Sequence, residues 1–139
     1  MRVEKKVEVA RPREEVLEEL WRDETLTGLF PDAETEIVER AADRKTTRTR
    51  YRALGRDGVA TFHFDRLPDG NLAFEKVCDG KVWRELYGEV TVEERGGRTR
   101  IHLTMEGRTR PLVPELAIRG PLKEQLEEMA RALRRRFGG

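Results

Sequence analysis

Serine is missing from this 139-residue chain, and Asn71, Gln125 and Cys78 are the only residues of their kinds. Without serine there is no Ser-His-Asp triad. A lone cysteine allows neither an internal disulfide nor a cysteine-rich zinc site. No stretch approaches the roughly 18 consecutive apolar residues of a membrane span, so no integral membrane association is expected. The opening Met1-Arg2-Val3-Glu4-Lys5-Lys6 goes straight into alternation and shows no signal-peptide pattern, which makes the expected location cytoplasmic. Charge of one sign is also not in excess: 28 Lys and Arg stand against 27 Asp and Glu. A nucleic-acid partner usually leaves a basic stripe, so none is expected. The one basic cluster, Arg134-Arg135-Arg136, reads as a final helical turn, where cations meet the negative end of the helix dipole.

What is abundant is charge, 40% of the residues. An Arg- and Glu-rich chain poor in Asn, Gln and Cys fits a thermostable protein held by ion-pair networks. The length fits one domain over residues 1–139. Val3, Val7 and Val9 alternate with Glu4, Lys6 and Glu8, a half-buried strand. Pro12 suits a first helical turn, and Val16, Leu17, Leu20 and Trp21 follow at helical spacing. Asp23 or Thr25 can cap a second short helix carrying Leu26, Leu29 and Phe30, which Pro31 stops. From Glu34 to Arg110 the chain reads as a meander of six strands. Its turns are Ala42-Asp43-Arg44, Gly55-Arg56-Asp57-Gly58, Pro68-Asp69-Gly70, Asp79-Gly80 and Gly96-Gly97. The segment Leu112–Phe137 then places Leu122, Leu126, Met129, Leu133 and Phe137 on one helical face, with a bend or restart at Gly120-Pro121.

Each turn sets a register. A two-residue Asp79-Gly80 turn pairs Glu75 with Arg84 and Val77 with Val82. Gly96-Gly97 pairs Val92 with Ile101 and Gly88 with Met105. An Arg56-Asp57 turn sets Tyr51 opposite Phe62, and an Asp69-Gly70 turn sets Phe64 opposite Glu75. The expected inner face holds Tyr51, Ala60, Phe62, Phe64, Ala73, Glu75, Val77, Val82, Arg84, Leu86, Val90, Val92, Ile101, Leu103 and Met105. Either Ile37 or Val38 faces in from the preceding strand. Both histidines, His63 and His102, fall outside on non-adjacent strands with no set of metal ligands, so neither a metal nor another cofactor is expected. Leu72, Phe74, Trp83 and Tyr87 also fall outside, as an apolar patch on a charged face. That patch reads as a homodimer or partner interface, or as a sign that a β-bulge breaks the register.

The stretch RPREEVLEELWRDETLTGLFPDAETEI resembles the opening of the START/SRPBCC superfamily, which includes polyketide cyclase/dehydrase-like proteins. The matching positions are Pro12, Val16, Asp23, Leu29, Phe30 and Pro31. LYGEVTVEERGGRTRIHLTMEG resembles the last hairpin of that superfamily. The resemblance implies a helix-grip fold of class α+β. A curved antiparallel seven-stranded sheet would wrap a long C-terminal helix, with two short helices after the first strand. It also implies a cavity for lipids, polyketides or other hydrophobic ligands, and no universal catalytic residue.

On this reading the chain binds a hydrophobic or amphipathic small molecule between sheet and helix. The candidate ligand-binding residues are Tyr51, Phe62, Phe64, Glu75, Arg84, Leu86, Met105, Leu122, Leu126 and Met129. Glu75 and Arg84 form the sharpest pair, because inward charges must pair with each other or with a ligand. A rival reading is a cyclase/aromatase- or dehydratase-like enzyme using Glu75, Arg84 and Tyr51 as its acid–base set. A third is an interaction module working through the outer aromatic patch. Arg66 and Thr109 are candidates for the cavity rim.

Overall fold

A computed structural model describes residues 1–53 and 56–138. Strand β1 (Arg2–Val9) leads into helices α1 (Arg13–Leu20) and α2 (Asp23–Thr27). Then come β2 (Glu34–Arg40), β3 (Arg44–Ala53), β4 (Arg56–Arg66), β5 (Leu72–Lys76), β6 (Trp83–Arg95), β7 (Arg98–Thr109) and helix α3 (Glu115–Phe137). The strands form one seven-stranded sheet in the order β1-β7-β6-β5-β4-β3-β2, antiparallel at every pairing. This is the α+β helix-grip architecture.

Pro12 precedes α1 with φ −63°, and Glu14 and Glu15 occupy the first turn. Such placement uses the proline's missing N–H where no helix bond is lost and sets acids against the positive end of the dipole. Asp23 opens α2 as its first residue instead of capping it: Arg22 holds the cap position, and the Thr25 hydroxyl donates to Glu19 O. The Asp23 carboxylate accepts from Arg40 at 2.6 Å and lies 3.0 Å from Lys45 Nζ. Those cations hold its pKa below the usual carboxylate value, Arg40 contributing most. The pair ties α2 to the β2–β3 hairpin.

Helix α3 continues through Pro121 without interruption, where the sequence suggested a bend or restart. Its buried residues, Leu122, Leu126, Met129, Ala130, Leu133 and Phe137, all follow that proline. Before it only Ile118 packs against the core, half-buried, and Leu112 and Leu116 are each 89% exposed. Pro121 thus falls just before the fully buried part of the helix, which begins at Leu122. The helix packs on β1 and β7, which leaves the β3–β6 half of the sheet less covered. Gly138 ends it at φ 72°, a left-handed cap that glycine adopts without strain.

Three registers differ from those the turns suggested. Leu67 N–H donates to Asn71 O, closing a three-residue loop Pro68-Asp69-Gly70 with Gly70 at φ 91°. One residue more in the loop slides β5 by one position, so Phe64 faces Phe74, not Glu75. Between β5 and β6 the chain takes a six-residue connection, Val77 to Val82, and Glu75 faces Tyr87. A bulge between Trp83 and Glu85 then reverses the alternation, so Trp83 and Leu86 are both buried. At β3–β4, Arg56 and Asp57 lie in the strand, and Tyr51 pairs with Gly58 instead of Phe62. The Gly55 part of that expected turn lies outside the described residues. In β2 a further bulge leaves Ile37 half-buried and Val38 exposed.

The outer apolar patch therefore does not form. Leu72, Phe74 and Trp83 belong to the core, and only Tyr87, 43% exposed, stays outside. Both histidines do face outward: His63 Nδ1 lies 2.8 Å from the Thr46 hydroxyl, and His102 Nε2 lies 2.9 Å from Glu4. Among the described residues no cluster of potential metal ligands occurs, and no helix is long and apolar enough to cross a membrane.

Candidate functional site

The cavity sits where α3 leaves the sheet. Its volume is about 340 Å³. One wall is the sheet from β3 to β6, contributing Thr49, Tyr51, Arg52, Ala60, Phe62, Lys76, Trp83 and Leu86. Gln125 and Glu128 of α3 form the opposite wall, and the segment before β2 closes one end with Phe30, Asp32 and Ala33. A larger hollow of about 530 Å³ lies beside β1, but Arg2, Val3, Glu4, Arg119 and Lys123 line it and no aromatic residue does.

Aromatic packing shapes the sheet wall. Phe62 lies 6.1 Å from Phe30 and 6.2 Å from Phe64, and Phe64 lies 5.8 Å from Phe74, ring centre to ring centre. Pairs at these separations add to the burial of the rings. Three of the aromatics, Tyr51, Phe74 and Trp83, also cover a glycine on the neighbouring strand. A Cβ added at Gly58 would stand 2.5 Å from the Tyr51 ring, one at Gly88 2.5 Å from Phe74, and one at Gly107 2.5 Å from Trp83. The glycines let the rings lie flat on the sheet, so the inner face is smooth and the space above it stays open. Thr49 is fixed by a 2.9 Å hydrogen bond between its hydroxyl and that of Thr35.

Of the residues singled out in the sequence, Tyr51, Phe62 and Leu86 border the cavity. Phe64, Met105, Leu122, Leu126 and Met129 are buried in the core beside it and beneath it, with the two methionines serving as filling. Glu75 and Arg84 are not partners and do not reach the cavity. Glu75 points to the opposite face, 3.5 Å from Arg44, and Arg84 is exposed at the β6 bulge. An acid–base reaction assigned to Glu75, Arg84 and Tyr51 thus loses two of its three groups. Arg66 is bound to Asp43 and lies over the Trp21 ring, and Thr109 donates to Val113 O; neither lines the cavity.

Lys76, Trp83, Gln125 and Glu128 were not identified from the sequence. The two helical residues flank the apolar stripe at Leu126 and Met129, and that spacing was the signal that could have placed them near the sheet. Trp83 and Lys76 were hidden by the β5 and β6 registers. The glycine-under-aromatic pattern was the available signal: Phe74 opposite Gly88 brings Lys76 inside, and Trp83 over Gly107 requires the bulge before Glu85.

No protein-family model matches the chain, and no curated protein matches it. Solved structures do match in fold. A START superfamily protein from Mycobacterium smegmatis superposes with a TM-score of 0.78 at 19% identity, over 99% of this chain and 97% of the other. An aromatase/cyclase from Streptomyces sp. R1128 gives 0.72 at 22% identity, over 97% and 94%. A STAR-related lipid transfer protein from Xanthomonas axonopodis gives 0.65 at 17% identity, over 99% and 86%. The fold is the one these START superfamily proteins and aromatase/cyclases share, in agreement with the resemblance read from the sequence.

Proposed function

We propose that this protein binds a hydrophobic or amphipathic small molecule in the cavity between β3–β6 and α3. The observation that carries the proposal is a space of about 340 Å³ walled by Phe30, Tyr51, Phe62 and Trp83 beside the hydrophobic core. Ligand sites of roughly 300–1,000 Å³, mostly apolar with a few placed polar groups, are the common pattern. Here Phe30, Phe62, Trp83 and Leu86 supply the apolar surface, and Asp32, Thr49, Tyr51, Arg52, Lys76, Gln125 and Glu128 the polar groups. The lipid transfer protein and the aromatase/cyclase among the structural neighbours support the same reading.

Ala60 offers a direct test, because it is buried in the sheet wall where the cavity begins. Phenylalanine at this position would project its ring into the open space. Ala60→Phe should weaken binding of the neutral fluorophore N-phenyl-1-naphthylamine by about tenfold or more, a loss of roughly 1.4 kcal/mol. Circular dichroism should show the same secondary structure. Unchanged dye affinity in a folded Ala60→Phe variant would place the dye elsewhere and contradict the proposal.

A further inference from the structure

We infer that the ligand of this cavity is an acid: an aromatic or alicyclic body carrying a carboxylate, sulfonate or enolate oxygen that pairs with Lys76. This inference rests on the binding function proposed above and names the chemistry of its ligand.

Two half-buried lysines project from the inner face of the sheet, each directly opposite a phenylalanine. Lys45, opposite Phe64, is fully partnered. Its Nζ lies 3.0 Å from Asp23, donates to Trp21 O and sits 4.7 Å from the centre of the Trp21 ring. Lys76, opposite Phe62, lines the cavity with Trp83 and Tyr51. Among the described residues it makes no ion pair, although Lys45 and Arg66 on the same face and Arg44 on the opposite one all do. A partly desolvated ammonium gains most from an anion, and a ligand oxygen in the cavity can supply one.

The other charged groups at the cavity are arranged by wall. Asp32 belongs to the closing segment and Glu128 to α3, whereas both cations stand on the sheet, Lys76 half-buried on β5 and Arg52 exposed near the end of β3. An acidic oxygen therefore belongs on the sheet side near Tyr51, and the apolar body lies against Phe30, Phe62 and Trp83. Gln125 offers an amide donor from the helix side.

Two dyes with the same ring system separate the charge from the cavity: 1-anilinonaphthalene-8-sulfonate and the uncharged N-phenyl-1-naphthylamine. Lys76→Gln should raise the Kd of the sulfonate about tenfold and leave that of the neutral dye within about twofold. Lys76→Arg should restore most of the sulfonate affinity, and Glu128→Gln should improve it. In the unaltered protein, added salt should weaken the sulfonate and not the neutral dye, a readout that needs no variant. Equal effects of Lys76→Gln on both dyes, or none on the sulfonate, would overturn the assignment while leaving the cavity in place. If neither dye binds the unaltered chain, the binding function and this inference fall together.

Discussion

Gly88→Ala should destabilise the protein by about 3 kcal/mol, lowering Tm by roughly 10 °C in thermal unfolding followed by circular dichroism. An added Cβ would stand 2.1 Å from Thr104 O on β7 and 2.5 Å from Phe74 Cζ on β5. The first contact is with backbone inside the β6–β7 ladder, where Gly88 pairs with Met105 and Glu89 with Thr104. Relief there requires the central strands to separate. The second contact is with a side chain that can be shortened. Phe74→Leu in the Gly88→Ala background should thus recover part of the loss and not all of it. Full tolerance of Gly88→Ala would mean that β5 and β6 do not pair as Phe74 with Gly88, and the inner position of Lys76 would fall with that register.

Trp83→Ala should cost about 3–5 kcal/mol, the range for emptying a large aromatic from a core. Trp83 is only 8% exposed, lies over Gly107 and also forms part of the cavity wall. The same change should weaken N-phenyl-1-naphthylamine binding, because it removes one aromatic wall. Trp83→Phe should keep most of the stability and most of the affinity. If Trp83 were instead on the solvated face, as a strict two-residue Asp79-Gly80 turn would place it, its removal would change Tm by no more than a surface substitution does.

The contrast between those two placements shows where the sequence was legible. The Gly96-Gly97 turn has both residues at positive φ, 56° and 82°, and the register it implies, Val92 with Ile101 and Gly88 with Met105, is the one observed. Helix α3 was equally readable, since Leu122, Leu126, Met129, Leu133 and Phe137 are buried along one face. In both cases a strict local constraint, tight turn or helical period, determines the geometry. The β4–β5 and β5–β6 connections obey no such constraint. Asp69-Gly70 and Asp79-Gly80 have the residues of tight turns, yet one closes a three-residue loop and the other sits within a six-residue connection. A one-residue error on a strand exchanges its faces. It put Glu75 inside and Phe74 outside, and the Trp83 bulge compounded the error in β6. The inward pair Glu75–Arg84 and the outward aromatic patch were products of the β5 slip and the β6 bulge together. What survived it was the element order and the inner positions of Tyr51, Phe62 and Leu86, which suffice for the helix-grip architecture and one side of the cavity.

The most direct measurement of ligand binding in the cavity is a 15N–1H NMR titration with N-phenyl-1-naphthylamine. Saturable shift changes should concentrate at the amides of Thr49, Tyr51, Ala60, Phe62, Lys76 and Leu86 on the sheet and Gln125 and Glu128 on α3. The outer face, including His102 and Glu4, should remain unmoved. Absence of saturable shifts, or shifts centred on the β1 side around Arg2, Arg119 and Lys123, would contradict it.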